Sequence, residues 1–151
     1  MFKKLNLNFS PIQEITALGS LVFYSILLLF FLAVQDILMF EILLTGCIIT
    51  FIVTILIRTF YFKDRPNKQD HKNWIERLDA SSFPSLHSAR VMFLALVFIF
   101  KFQHLYTSLF FILLALIVMI SRAYLRKHDW IDISSGAFLG LLTYWVITLV
   151  F

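Results

Sequence analysis

The chain has 151 residues, of which 60% are hydrophobic and only 15% are charged, against roughly 25% charged in an average soluble domain. So many apolar side chains cannot all be hidden in one soluble core of this size, which excludes a freely soluble domain and leaves lipid to cover much of the surface. The net charge of +4 comes from 13 Lys plus Arg against 9 Asp plus Glu, and without a recognition motif or basic stripe it points to lipid headgroup or phosphate, not nucleic acid.

A single domain is expected over 1–151. Lys3, Lys4 and a polar stretch precede an apolar run too long for a signal-peptide core, with no small-residue cleavage site, so no cleaved leader is read. The run 15–34 has 20 residues, which at about 1.5 Å per residue reaches the roughly 30 Å hydrocarbon thickness. Gln35 and Asp36 form a short turn, and 37–57 makes a second span that holds Glu41 near water and the lone Cys47 in its interior. From Arg58 to about 83 the chain is polar, broken at Pro66 and Asn67, with Trp74, Ile75 and Leu78 spaced for a short interfacial helix. A third span follows over 83–100, its first turns carrying His87, Ser88 and Arg90; a fourth covers 105–120, a charged segment 121–132, and a fifth 133–151. The expected fold is an all-α integral membrane bundle of about five transmembrane helices. Counting crossings puts the polar segments 58–83 and 121–132 on one membrane face, where the entrance of the third span also lies, so the ionisable residues gather at one end.

Three clusters there carry chemistry. His128 and Asp132 are four apart, hence on one face if the fifth span begins near Lys127, and a carboxylate there can hold an imidazole as in catalytic triads. A contact at a helix terminus would produce the same spacing. Pro84 suits the first position of a helix whose free N–H groups would receive phosphate; Ser85 adds a hydroxyl, and His87 could exchange protons with a leaving oxygen. An ordinary cap with an interfacial histidine would look alike. Arg58 and Arg65, the latter before Pro66, match phosphate oxygens in bidentate fashion, or serve as snorkelling anchors.

Together the three segments, from Arg58 to Asp132, resemble the signature of the type-2 phosphatidic acid phosphatase family, which includes bacterial lipid and polyprenyl diphosphate phosphatases and the vanadium haloperoxidases. Its third part fits fully: Ser121-Arg122, five residues, His128, three residues, Asp132. Its second part, normally Pro-Ser-Gly-His, reads Pro84-Ser85-Leu86-His87, with leucine for glycine. Its first, normally Lys, six residues, Arg-Pro, has Arg58 for the lysine and then Arg65-Pro66. The resemblance implies that His128 attacks phosphorus, Asp132 orients it and His87 acts as general acid and then base. It further implies that Arg58, Arg65, Ser85 and Arg122 hold the phosphate oxygens, with neither metal nor cofactor, through a phosphohistidine. The fuller members have six helices, and this chain shows five.

The implied activity is hydrolysis of a membrane lipid phosphate or diphosphate. Undecaprenyl diphosphate or another polyprenyl diphosphate, phosphatidic acid and phosphatidylglycerol phosphate all present phosphate at the same depth, so the lipid stays open, as does oligomeric state. Some relatives with leucine at that position transfer the phosphoryl group to an alcohol, which keeps a phosphotransferase open. A haem-binding bundle using His87 and His128 explains neither Asp132 nor Arg58, Arg65 and Arg122; a noncatalytic lipid-binding scaffold is the other rival. Five spans put Met1 on the site face with Lys3, Lys4, Lys63, Lys68, Lys72, Arg77, Arg126 and Lys127, against Lys101 opposite. Positive-inside bias then predicts a cytoplasmic N-terminus and site, although bacterial relatives more often work on the outer face.

Overall fold

The computed structural model describes residues 11–67 and 69–151; Lys3, Lys4, Lys68 and the expected lack of a cleaved leader lie outside them. The described residues form seven helices and no strand: α1 (Pro11–Ala17), α2 (Leu21–Ala33), α3 (Ile37–Phe60), α4 (Trp74–Ala80), α5 (Leu86–Phe102), α6 (Leu105–Tyr124) and α7 (Trp130–Ile147). Three of them, α3, α6 and α7, are long and apolar enough to cross a bilayer, and α1 with α2 makes a fourth span if the bent pair is counted as one. The third span expected over 83–100 corresponds to α5, which at 17 residues is shorter than these, so up to four of the five expected crossings are supported.

The first span departs most from expectation. Instead of one straight helix over 15–34, α1 and α2 meet at 48°, because Ser20 starts a new helix by accepting the Phe23 N–H on its hydroxyl at 3.2 Å. Hydropathy is blind to this break, since the residues around Ser20 are as apolar as the rest. Two other boundaries moved for similar reasons. Pro84 is not the first residue of its helix: Ser85 is the cap of α5, its hydroxyl accepting from the Ser88 N–H, and Pro84 stands outside. α7 begins at Trp130, not near Lys127 or at 133, because Asp129 and Asp132 form a reciprocal capping box, Asp129 accepting the Asp132 N–H at 2.9 Å and Asp132 the Asp129 N–H at 3.1 Å. His128 therefore precedes the helix.

The buried α5 is the axis of the bundle. One side packs Phe93, Leu94, Val97 and Phe98 against Tyr24 and Phe31 of α2, Met39 and Leu43 of α3 and Ile147 of α7; the other packs Val91 and Ala95 against Ala115, Val118 and Met119 of α6 and Ile133 of α7. Its backbone also lies directly on α7. A Cβ at Gly136 would stand 2.2 Å from the Ser85 carbonyl oxygen, and one at Gly140 2.4 Å from that of Ala89. This glycine pair, four apart, is a small-residue seam of the kind that draws membrane helices together. The outward faces are apolar, with Val22, Leu29, Ile52, Leu56, Leu113 and Ile117 exposed, as lipid contact requires.

At one end Lys101 bonds Asp36 at 2.6 Å, tying the end of α5 to the α2–α3 turn. At the other end lie the N-termini of α5 and α7, the C-termini of α3 and α6, and α4. The expected interfacial helix is α4: Trp74 and Ile75 are exposed and Leu78 is buried inward.

Candidate active site

All three sequence clusters meet at this second end. Ser82 joins two of them: its N–H donates to the Lys63 carbonyl at 2.8 Å, its hydroxyl to the Asp64 carbonyl at 3.2 Å, and its own carbonyl faces His128 Nδ1 at 2.8 Å. Ser85 joins the second cluster to the third, its N–H donating to the Asp132 carbonyl at 3.0 Å. Ser81, Ser82, Ser85 and Asp132 are fully buried.

The contact at His128 fixes the ring chemically. A carbonyl oxygen only accepts, so Nδ1 carries the proton and Nε2 holds the lone pair. His128 is 3% exposed. Burial first, and then the positive fields of Arg122, Arg65 and Arg58, push its pKa down to about 3, against a weaker upward pull from the Ser82 carbonyl. The imidazole is therefore neutral at physiological pH, with an unprotonated Nε2.

Asp132 stands close, but its Oδ2 is 3.8 Å from Nδ1, beyond hydrogen-bond length. The i,i+4 helical face inferred from spacing does not exist, because His128 lies outside α7. Asp132 is occupied by Lys63, whose Nζ bonds Asp132 Oδ1 at 2.7 Å and Asp129 Oδ2 at 2.6 Å. Partial burial lowers the Lys63 pKa, yet the hydrogen bonds and charges of the two carboxylates outweigh it and hold the ammonium above its ordinary value. Burial likewise raises Asp129, and the bond from Lys63 leads the effects that leave it lower than usual. Lys63 is the residue the sequence reading passed over as one more interfacial base; its only signal is its place two residues before Arg65.

The arginines converge with different commitments. Arg58 donates from Nη1 to the Leu78 carbonyl at 2.9 Å and from Nη2 to the Pro84 carbonyl at 3.0 Å, locking α4 and the start of α5 to the end of α3. Arg65 donates to the Asp79 carbonyl, and burial, partly offset by Asp79 and Asp132, lowers its pKa. Arg122 donates to Thr16 Oγ1 at 3.2 Å. In each of the three, Nε is buried without a partner, leaving donor capacity for oxyanions. His87, second residue of α5, lies in the field of Arg122, Arg90, Arg65 and Arg58 together. Leu86, which replaces the signature glycine, turns aside into a cavity of about 250 Å³ with Arg58, Leu78 and Thr54.

The break between α1 and α2 completes the enclosure. A Cβ at Gly19 would lie 3.1 Å from His87 Cδ2 and 3.2 Å from Val118 Cγ1, so the chain passes close against the imidazole and a side chain here would press on it. Gly19→Val is expected to displace His87 and lower kcat about tenfold with less effect on folding; wild-type kcat with unchanged thermal stability would show that the contact is incidental.

The comparisons with known proteins agree with the signature. Residues 37–151 match the sequence model of the PAP2 superfamily, a match that takes in every predicted site residue and leaves out α1 and α2. No curated protein and no solved structure matched the chain.

Proposed function

The chain belongs to the PAP2 superfamily, generally phosphatases acting on phosphate esters, and from that premise we propose that it hydrolyses a membrane lipid phosphate or diphosphate through a phosphohistidine at His128. The observation that carries this reading is the 2.8 Å contact of His128 Nδ1 with the Ser82 carbonyl, which leaves a neutral, oriented Nε2 beside a cluster of guanidiniums. Nε2 forms a bond to phosphorus as the bond from phosphorus to the lipid oxygen breaks; the electron pair goes to that oxygen, and His87 supplies its proton. Arg58, Arg65, Arg122 and the Ser85 hydroxyl neutralise the charge on the nonbridging oxygens in the trigonal-bipyramidal transition state. Water then gives a proton to His87 and its oxygen to phosphorus, and the pair in the P–N bond returns to Nε2. Asp132 contributes its charge at 3.8 Å and, through Lys63, the placement of the loop that ends at Ser82. We place the site on the cytoplasmic face, on the excess of basic residues at that end.

Fixed guanidiniums supply the charge stabilisation in this scheme, so phosphate release from undecaprenyl diphosphate, phosphatidic acid or phosphatidylglycerol phosphate in detergent is expected to survive EDTA and to be inhibited by vanadate, which mimics the transition state. Complete loss of activity in EDTA, restored by magnesium, would overturn the mechanism.

A further inference from the structure

The three arginines of the site are tethered by different parts of the chain. Arg58 is fixed by the Leu78 and Pro84 carbonyls and Arg65 by that of Asp79, all within the stretch that matches the family. Arg122 is held from outside it. This side chain stands in the last turn of α6 and is 7% exposed, and among the described residues no carboxylate forms an ion pair with it. Its guanidinium is held by α1, Nη1 donating to Thr16 Oγ1 at 3.2 Å, and α1 precedes residues 37–151.

Thr16 does not behave as Thr50, Thr59 and Thr143 do. Those three turn their hydroxyls back onto the carbonyl four residues earlier in their own helices, the usual local partner of a threonine inside a helix. Among the described residues, the bond that Thr16 Oγ1 makes is the one it accepts from Arg122. Three residues on, Gly19 lies against His87. One short stretch of chain therefore meets both the arginine at the end of α6 and the histidine at the start of α5. The residue type suits an anion site. A carboxylate at this position would neutralise the charge that phosphate needs, whereas a hydroxyl oxygen orients the guanidinium and leaves its charge intact. A long arginine side chain loses rotamer freedom when it meets an anion, and a partner that fixes it beforehand removes that loss from the binding step.

We propose that Thr16 is a positioning residue of the phosphate site, which presets Arg122 by accepting from Nη1 and leaves the rest of the fork for the nonbridging oxygens. The helix α1, which the family match leaves out, then completes the site. The inference rests on the phosphatase reading above, in which Arg122 holds the oxygens of the transferred phosphoryl group.

The test measures vanadate binding by thermal shift, alongside phosphate release from phosphatidic acid, undecaprenyl diphosphate and phosphatidylglycerol phosphate, on the full-length protein in detergent. Thr16→Val keeps the shape of a half-buried side chain and removes the acceptor. It is expected to weaken vanadate about tenfold, with the melting temperature in the absence of vanadate within about 2 °C of wild type. Thr16→Ser restores the acceptor and should return the affinity to within about threefold of wild type. In an Arg122→Gln background, Thr16→Val should add no further loss, because the guanidinium it holds is gone. Wild-type vanadate affinity in Thr16→Val, a serine variant no better than the valine, or an undiminished further loss in the Arg122→Gln background would each overturn the role of Thr16. Should Thr16→Val fail to fold, Thr16→Asp decides: a carboxylate that pairs with Arg122 should weaken vanadate at least about tenfold, and wild-type affinity refutes the proposal. Turnover with no effect of Thr16 on vanadate sinks the positioning role and leaves the phosphatase standing. Vanadate binding without turnover of any of the three lipids sinks the phosphatase, while the Thr16 variants still decide how Arg122 is held. Neither binding nor turnover sinks both.

Discussion

Replacing His128 by alanine is expected to abolish turnover, by at least about 10³-fold, whereas His87→Ala should slow it by an amount that depends on the leaving group. The asymmetry follows from what each ring does. In the proposed scheme Nε2 of His128 forms the bond to phosphorus and is oriented for it by the Ser82 carbonyl, while the arginines beside it are guanidiniums whose nitrogens have no lone pair to offer. In that scheme His87 only moves a proton, and a substrate with a good leaving group, such as an aryl phosphate, needs little help. His87→Ala should therefore still form a phosphoenzyme from such a substrate and then stall, because no base remains to activate water. Rapid-quench labelling with a radiolabelled substrate reads both steps. An acid-labile, base-stable label is expected in wild type, at a higher steady-state level in His87→Ala, and none in His128→Ala. Labelling of His128→Ala at wild-type level would end the assignment.

The two histidines were legible because their chemistry is written in residue type and spacing, while the packing that makes them useful was not. The three-part pattern depends on Arg65-Pro66, Pro84-Ser85 and Ser121-Arg122 with His128, all at fixed separations, and the fold brings these segments to one end of the bundle. The break at Ser20 was missed because a serine in an apolar run carries no weight in hydropathy, though a small polar residue after Gly19 is a cap signal. The start of α7 differs from expectation for a related reason: Asp132 is read from its spacing as a partner for His128, when its three-residue spacing from Asp129 is also that of a capping box. The seam of Gly136 and Gly140 is visible in the sequence as a small-residue repeat, and it decides how closely α5 and α7 approach. The Ser82 carbonyl could not have been found, since a backbone acceptor leaves no mark in the choice of side chain.

That carbonyl changes what Asp132 is for, and the change is measurable. Asp132→Ala is expected to cost about a hundredfold or more in kcat together with ~3 kcal/mol of stability, because a fully buried carboxylate bound to Lys63 is lost and the Asp129 N–H loses its acceptor. If Asp132 acted mainly as the immediate orienter of His128, Lys63 would matter little to catalysis. The distances favour another route. Lys63 Nζ joins Asp132 and Asp129 at the start of α7, the Lys63 carbonyl receives the Ser82 N–H, and the Ser82 carbonyl fixes His128. Asp132 is then a positioning residue whose effect passes through Lys63 and Ser82 to the imidazole. A double-mutant cycle separates the two roles. Lys63→Met and Asp132→Asn should each reduce kcat with little change in KM, and the double variant should be scarcely worse than either single one, a coupling of about 1 kcal/mol or more. Additive losses in kcat would restore Asp132 as an independent partner of His128 and leave Lys63 as a tether only.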